Sequence, residues 1–217
     1  MRTVLVTACL TIGFLSVGQG LALIPSTAIP EPGSEVSFQV SGAPAGAQFK
    51  WDFNGDGHPD ATTNQPWANW TVPAGAWNVT VDVVQGGRSL SQLGVRVVAD
   101  SRLGAVGEVR WTGGVAEVTV IIRARTEIFG PGLTVDVPPG WTATSLDPAR
   151  MNEQGQLEIL ASSATFLYPG QELIVQYVLY PPSAGARARL ACSVTGMVTV
   201  GDRKERVSVP VAGPLTF

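Results

Sequence analysis

The chain has 217 residues, enough for one large or two ordinary domains. Its net charge of −3, with 14% charged residues, is too weak a field to point to a nucleic-acid partner. The 25 glycines and 16 prolines, with Val and Thr in short runs, favour many short strands and turns over long helices.

Residues 1–22 read as a signal peptide. Met1-Arg2 is a short positive start, Val4 to Val17 is almost wholly apolar, and Gly20-Leu21-Ala22 offers small residues at the cut. The apolar run is shorter than the ~20 residues a spanning helix needs, so no membrane span is expected after cleavage. The expected location is secreted, extracellular, periplasmic or on the cell surface. Removal of Cys9 with the signal leaves Cys192 alone, which rules out an intramolecular disulfide. Leu190-Ala-Cys-Ser-Val194 reads as strand, so a buried inert thiol is expected there.

Residues 23–33, with Pro25, Pro30 and Pro32, read as an extended leader. Strand patterning then begins. In Glu35 to Val40 the side chains of Val36, Phe38 and Val40 share one face. Phe49, Trp51 and Phe53 do the same in the next strand, with Trp51 as the expected core anchor. Trp77, Val79, Val81 and Val83 alternate with Asn78, Thr80 and Asp82, the mark of a half-buried strand. Gln85-Gly-Gly-Arg88 is a hairpin turn, and Leu93 to Val98 closes the set. Residues 34–99 are therefore expected to form a small antiparallel sandwich.

Between the second and third of these strands lies Asp52-Phe-Asn-Gly-Asp-Gly-His-Pro-Asp60. Oxygen-bearing side chains recur at every second position: Asp52, Asn54, Asp56, then Asp60, with Gly55 and Gly57 letting the backbone curl. This is the spacing of the first nine positions of an EF-hand-type loop, with His58 placed to give a backbone carbonyl. The expected ion is calcium. The twelfth position holds Thr63 instead of a bidentate Glu. The competing reading of the same residues is a glycine-rich turn whose Asp side chains bond local backbone amides.

Residues 100–106 are polar and glycine-bearing, and are placed as a linker. Residues 107–217 repeat the strand-and-turn pattern. Glu108 to Trp111 and Ala116 to Arg123 flank Gly113-Gly114, and Gly201-Asp-Arg-Lys204 joins the last two strands. One short helical turn is expected near Asp147 to Asn152. The fold class read from this pattern is all-β: two antiparallel β-sandwich domains after a signal peptide.

The first set of strands resembles a PKD domain, the immunoglobulin-like module named for polycystic kidney disease protein and common in secreted and surface proteins of prokaryotes. Val36-Ser-Phe38 is similar to its early strand. Trp51-Asp-Phe53 with Gly55-Asp-Gly57 is similar to its Trp-Asp-Phe-Gly-Asp-Gly segment, with Asn54 inserted. Trp70-Thr-Val-Pro-Ala-Gly-Ala-Trp-Asn-Val-Thr-Val81 is similar to its Pro-Gly-containing segment, with Trp70 and Trp77 where tyrosines are usual. The match covers about residues 33–99. Residues 105–217 more loosely resemble bacterial immunoglobulin-like sandwich domains, through Pro138-Pro-Gly-Trp141 and Leu167-Tyr-Pro-Gly-Gln-Glu172. The resemblance implies an immunoglobulin-like fold for both halves.

Catalysis finds little support. The single histidine, His58, sits beside a proline in a turn, leaving no base for a Ser or Cys nucleophile. One His and one remaining Cys make zinc a poor fit. Trp70 and Trp77 are expected in the core, whereas Trp67, after Pro66 in a loop, is the candidate for an exposed, ligand-binding ring. The expected role is a non-catalytic interaction or spacer module, presented to an extracellular or envelope protein or polysaccharide. A carbohydrate-binding module led by Trp67 and a structural subunit of a surface layer or appendage are the alternatives.

Overall fold

The computed structural model describes residues 20–161, 165–189 and 191–214. Most of the expected signal peptide lies outside the described residues. Within them the chain is all-β, and every strand pairing is antiparallel apart from one isolated bridge, Val106 to Ala212.

Four sheets enclose two hydrophobic clusters. The first cluster lies between a three-stranded and a five-stranded sheet. The three-stranded sheet is ordered β1 (Ala22–Pro25), β2 (Glu35–Ser41), β5 (Trp67–Thr71). The five-stranded sheet is built on β3 (Gln48–Asp52), β4 (Ala61–Thr63), β6 (Gly75–Gln85) and β7 (Arg88–Ala99). Alternation decides which residues meet between them. Val36, Phe38 and Val40 face Phe49, Trp51, Val79, Val81 and Val83, and all are buried. Trp51 is completely buried, as expected of the anchor, and its indole Nε1 donates to Thr63 Oγ1 at 3.0 Å.

The second cluster lies between two further sheets. One is ordered β11 (Thr142–Ser145), β15 (Glu172–Tyr180), β9 (Val115–Ala124), β8 (Leu103–Thr112). The other runs β12 (Ala149–Met151), β13 (Gln156–Leu160), β10 (Ile128–Asp136), β16 (Cys192–Val200), β17 (Arg203–Pro210), with β14 (Phe166–Leu167) also on β10. Leu103, Val118, Val120, Ile122, Leu133, Ile159, Val175 and Val194 fill the space between them.

Two sequence expectations are corrected and one is made specific. The expected extended leader starts in a paired strand: Ala22–Pro25 runs from Ala22 opposite Ser41 to Pro25 opposite Phe38. Proline is tolerated because β1 is the edge of its sheet. The helical turn near Asp147 is absent. Ala149–Met151 instead pairs with β13, because Leu157 and Ile159 offer a strand edge that a lone turn of helix cannot match. The linker is shorter than residues 100–106. Strand β7 ends at Ala99 and β8 begins at Leu103, which with Ala105 is fully buried.

The junction is therefore a bonded structure. The last strand, β18 (Gly213–Pro214), returns from the second half to pair with Arg96 and Val95 of β7. Val97 points into the first cluster and its neighbour Val98 into the second. The Arg125 guanidinium donates to the carbonyls of Asp100 and Ile29, the latter at 2.5 Å. Gly104 makes room for Ile29, since a Cβ there would come within 2.9 Å of the Ile29 Cβ. Burial disfavours ionisation of Asp100, but the hydrogen bonds and charge of Arg102 outweigh it and hold the carboxyl below its ordinary range.

Candidate functional site

The acidic loop connects β3 to β4 and is organised by its own side chains. Asp52, 7% exposed, is the one buried charged residue among those described. Its Oδ1 accepts the Gly55 amide at 2.7 Å and its Oδ2 the Gly57 amide at 2.9 Å. Asp60 Oδ2 accepts the Phe53 amide at 2.7 Å, while the Asp60 amide donates to Trp51 O, also at 2.7 Å. Further out, Asn54 Oδ1 accepts the Asp56 amide and Asp56 Oδ1 accepts the His58 amide. The His58 hydrogen bond, then that of Asn54, holds the Asp56 carboxyl below its ordinary range. Gly55 has φ +75°, and a Cβ there would stand 3.0 Å from the Asn78 carbonyl, so only glycine fits without strain.

These bonds bear on the expected ligand set. Asp52, Asn54, Asp56 and Asp60 each accept at least one backbone amide, which is the local-bonding arrangement. His58 is exposed, with Nδ1 3.4 Å from Asp56 Oδ1. Among the described residues no group of three or more His, Cys, Asp or Glu is placed to hold a metal ion. Thr63, at the twelfth loop position, has a different task. Its hydroxyl donates to Gln65 O at 2.7 Å and accepts the Trp51 indole, tying the loop to the core anchor.

Trp67 stands on another sheet, on the edge strand β5, opposite Gln39, and the residue is 52% exposed. Beside it Asn69 Nδ2 reaches Glu35 Oε1 at 3.3 Å. Trp70 and Trp77 pack against the first core instead. Trp70 stacks on Phe53 at 5.5 Å and meets Trp77 edge-on at 5.7 Å, and Trp77 Nε1 donates to Pro73 O.

Sequence reading missed a cleft of about 560 Å³ across the outer face of β8, β9, β15 and β11. Glu108, Arg110, Glu117, Thr119, Thr144 and Gln176 are among its walls, and Gln176 Nε2 donates to Thr119 Oγ1 at 3.2 Å. These residues occupy the polar positions of alternating strands, but only the sheet order brings them together. Cys192 is buried as expected, and burial pushes its thiol up to about 12.

No protein-family model matches the chain, and no curated protein matches it. Solved structures give distant likenesses. A chitinase, ChiA74, from Bacillus thuringiensis is 10% identical with a TM-score of 0.34, over 75% of this chain and 26% of its own. A GH20 exo-β-N-acetylglucosaminidase from Vibrio harveyi is 9% identical with a TM-score of 0.34, over 51% of this chain and 17% of its own. A putative membrane-anchored protein from Corynebacterium diphtheriae is 10% identical with a TM-score of 0.35, over 91% of this chain and 58% of its own. Likenesses at this level carry no argument about activity or partner. No helix among the described residues is long and apolar enough to cross a membrane.

Proposed function

We propose that this is a non-catalytic exported protein in which a PKD-like immunoglobulin sandwich is joined to a second immunoglobulin-like sandwich. It acts as an interaction and spacer module toward an envelope or extracellular protein or polysaccharide. The observation that carries the reading is the junction. β18 returns to β7, and Arg125, just past β9 of the second half, bonds the carbonyls of Asp100 in the connection and Ile29 in the leader. A spacer needs a fixed angle between its parts, whereas a flexible tether would have an unbonded, polar connection. The lone histidine on a solvent-exposed loop fits a protein without acid–base chemistry. Small-angle scattering of the purified protein should fit a single interdomain arrangement at low and high salt. A fit that needs several arrangements would remove the spacer role, and turnover of any glycoside or peptide substrate in a panel would remove the non-catalytic one.

The exposure of Trp67 on an edge strand favours a second reading, a carbohydrate-binding face. An aromatic face offers stacking area to a sugar ring, and Asn69 and Glu35 supply hydrogen-bonding groups nearby. Retention on insoluble polysaccharides should fall about tenfold, roughly 1.4 kcal/mol, in Trp67→Ala. Undiminished retention would remove that reading.

A further inference from the structure

The second half of the chain carries an exposed aromatic cluster on the outer face of β10, β14, β16 and β17. Register places it. Phe166 lies opposite Phe129, Phe129 opposite Met197, and Met197 opposite Arg206. The alternate residues Ile128, Leu167, Val198 and Val207 point into the core, so this row faces outward. The Phe129 and Phe166 rings are 5.1 Å apart, and Phe166 and Tyr168 lie 6.1 Å apart at 16°. All three remain exposed, at 37%, 40% and 49%. Lys204 places its ammonium 4.6 Å from the centre of the Phe129 ring.

Two cations, Lys204 and Arg206, stand beside the rings, and the exposed acids Glu127 and Asp202 lie two residues from Phe129 and from Lys204 in the chain. Lys204 and Arg206 belong to none of the ion pairs found among the described residues. Glu205, between them in sequence, points to the other face, where Arg102 feels its charge. Farther across the sheet, Glu158 is held by Arg150 at 2.8 Å, and the field of Arg206 reaches it. The rest of the face mixes small hydroxyl side chains, Thr134, Thr195 and Ser208, with Met197 and the exposed Leu160.

We propose that the Phe129–Phe166–Tyr168 cluster, with Lys204 and Arg206, binds an anionic polysaccharide. Pyranose C–H bonds carry partial positive charge and meet the negative faces of aromatic rings, while carboxylates on the chain meet the two cations. A protein partner would need an apolar centre within about 800 Å² of surface on each side. This face offers one row of three rings with two cations beside it, which suits a narrow chain ligand. The site is separate from Trp67 and does not rest on what the first sandwich holds.

The test is retention of the purified protein on immobilised alginate, with a neutral dextran and poly-L-glutamate as comparisons. Alginate binding at low salt should weaken steeply as salt is added. The double substitution Phe166→Ala/Tyr168→Ala should weaken it at least tenfold. Lys204→Gln/Arg206→Gln should do the same and flatten the salt dependence. Trp67→Ala should leave alginate binding unchanged, which separates this site from the one on β5. All four altered residues of the two double variants are exposed or lie on the outer face, and an unchanged melting temperature would show that each variant folds. The proposal is overturned if alginate is not retained, or if dextran or poly-L-glutamate binds as tightly. Undiminished binding by either double variant would also overturn it.

Discussion

Buried polar atoms show how completely single residues decide this fold. Asp52 is tolerated in the first core because both of its oxygens accept glycine amides. Tyr177 is the opposite case. Its hydroxyl is buried without a full hydrogen bond, and its one neighbour of use is the soft Cys192 thiol. Burial accordingly raises the phenol well above its ordinary range. An unsatisfied buried hydroxyl is a net cost, so Tyr177→Phe should stabilise the protein by about 1 kcal/mol. A urea unfolding curve should show a higher midpoint at unchanged slope, and a lower midpoint would mean that the thiol contact stabilises the fold. In the structure Leu173, Val175, Tyr177 and Leu179 share the buried face of β15. The missing partner of Tyr177 was not legible in the sequence, because that depends on what the facing sheet brings opposite.

Among the elements, the strands with strong alternation were legible and the short ones were not. β2, β6, β9 and β15 carry their own pattern of apolar and polar positions. β1, β4, β12 and β14 have between two and four residues each and form because a longer neighbour offers an edge. β5 was hidden for another reason: Trp67 and Trp70 point to opposite sides of a strand that the sequence presents as a loop between Pro66 and Pro73. The β3–β4 loop was located correctly, but its spacing suits a cation site and a self-bonded turn alike. A calcium ion there would have to share Asp52, Asp56 and Asp60 oxygens with the amides they accept. Extracellular modules bind calcium at about 0.1–1 mM, which at 1 mM ion gives only about 0.4–1.4 kcal/mol. If the loop takes calcium, 1 mM ion should raise the melting temperature by a few degrees and Asp56→Ala should abolish the rise. Identical melting curves with ion and with chelator would leave the amide-bonded turn as the complete account.

For the whole molecule, the question is whether the two sandwiches behave as one body. Arg125 is the residue on which this turns, since its guanidinium bonds the carbonyls of Asp100 and Ile29 from β9's far end. Truncation would leave both carbonyls without that partner, at a cost of about 1–3 kcal/mol. Arg125→Ala is therefore expected to split a single thermal transition into two and to broaden the scattering-derived distance distribution. A single transition at the original temperature would show that β18 and the Val97–Val98 packing hold the junction unaided. The paired valines are the one sequence trace of this interface. They break the alternation of β7 because its outer face, normally solvated, is covered by the second half.

Side-chain alternation and turn chemistry are properties of neighbouring residues, so the chain alone determined that it is all-β, where most long strands lie, and that Trp51 is buried. Pairing order, edge strands and the bonded junction join residues far apart in sequence, from Ile29 to Arg125 and from Val95 to Pro214. The exposed cluster of Phe129, Phe166 and Tyr168 belongs to the same class, because two strands and a loop must first be laid side by side. Only the tertiary structure could decide these, since a local pattern states which face a residue prefers but not which distant residue shares that face.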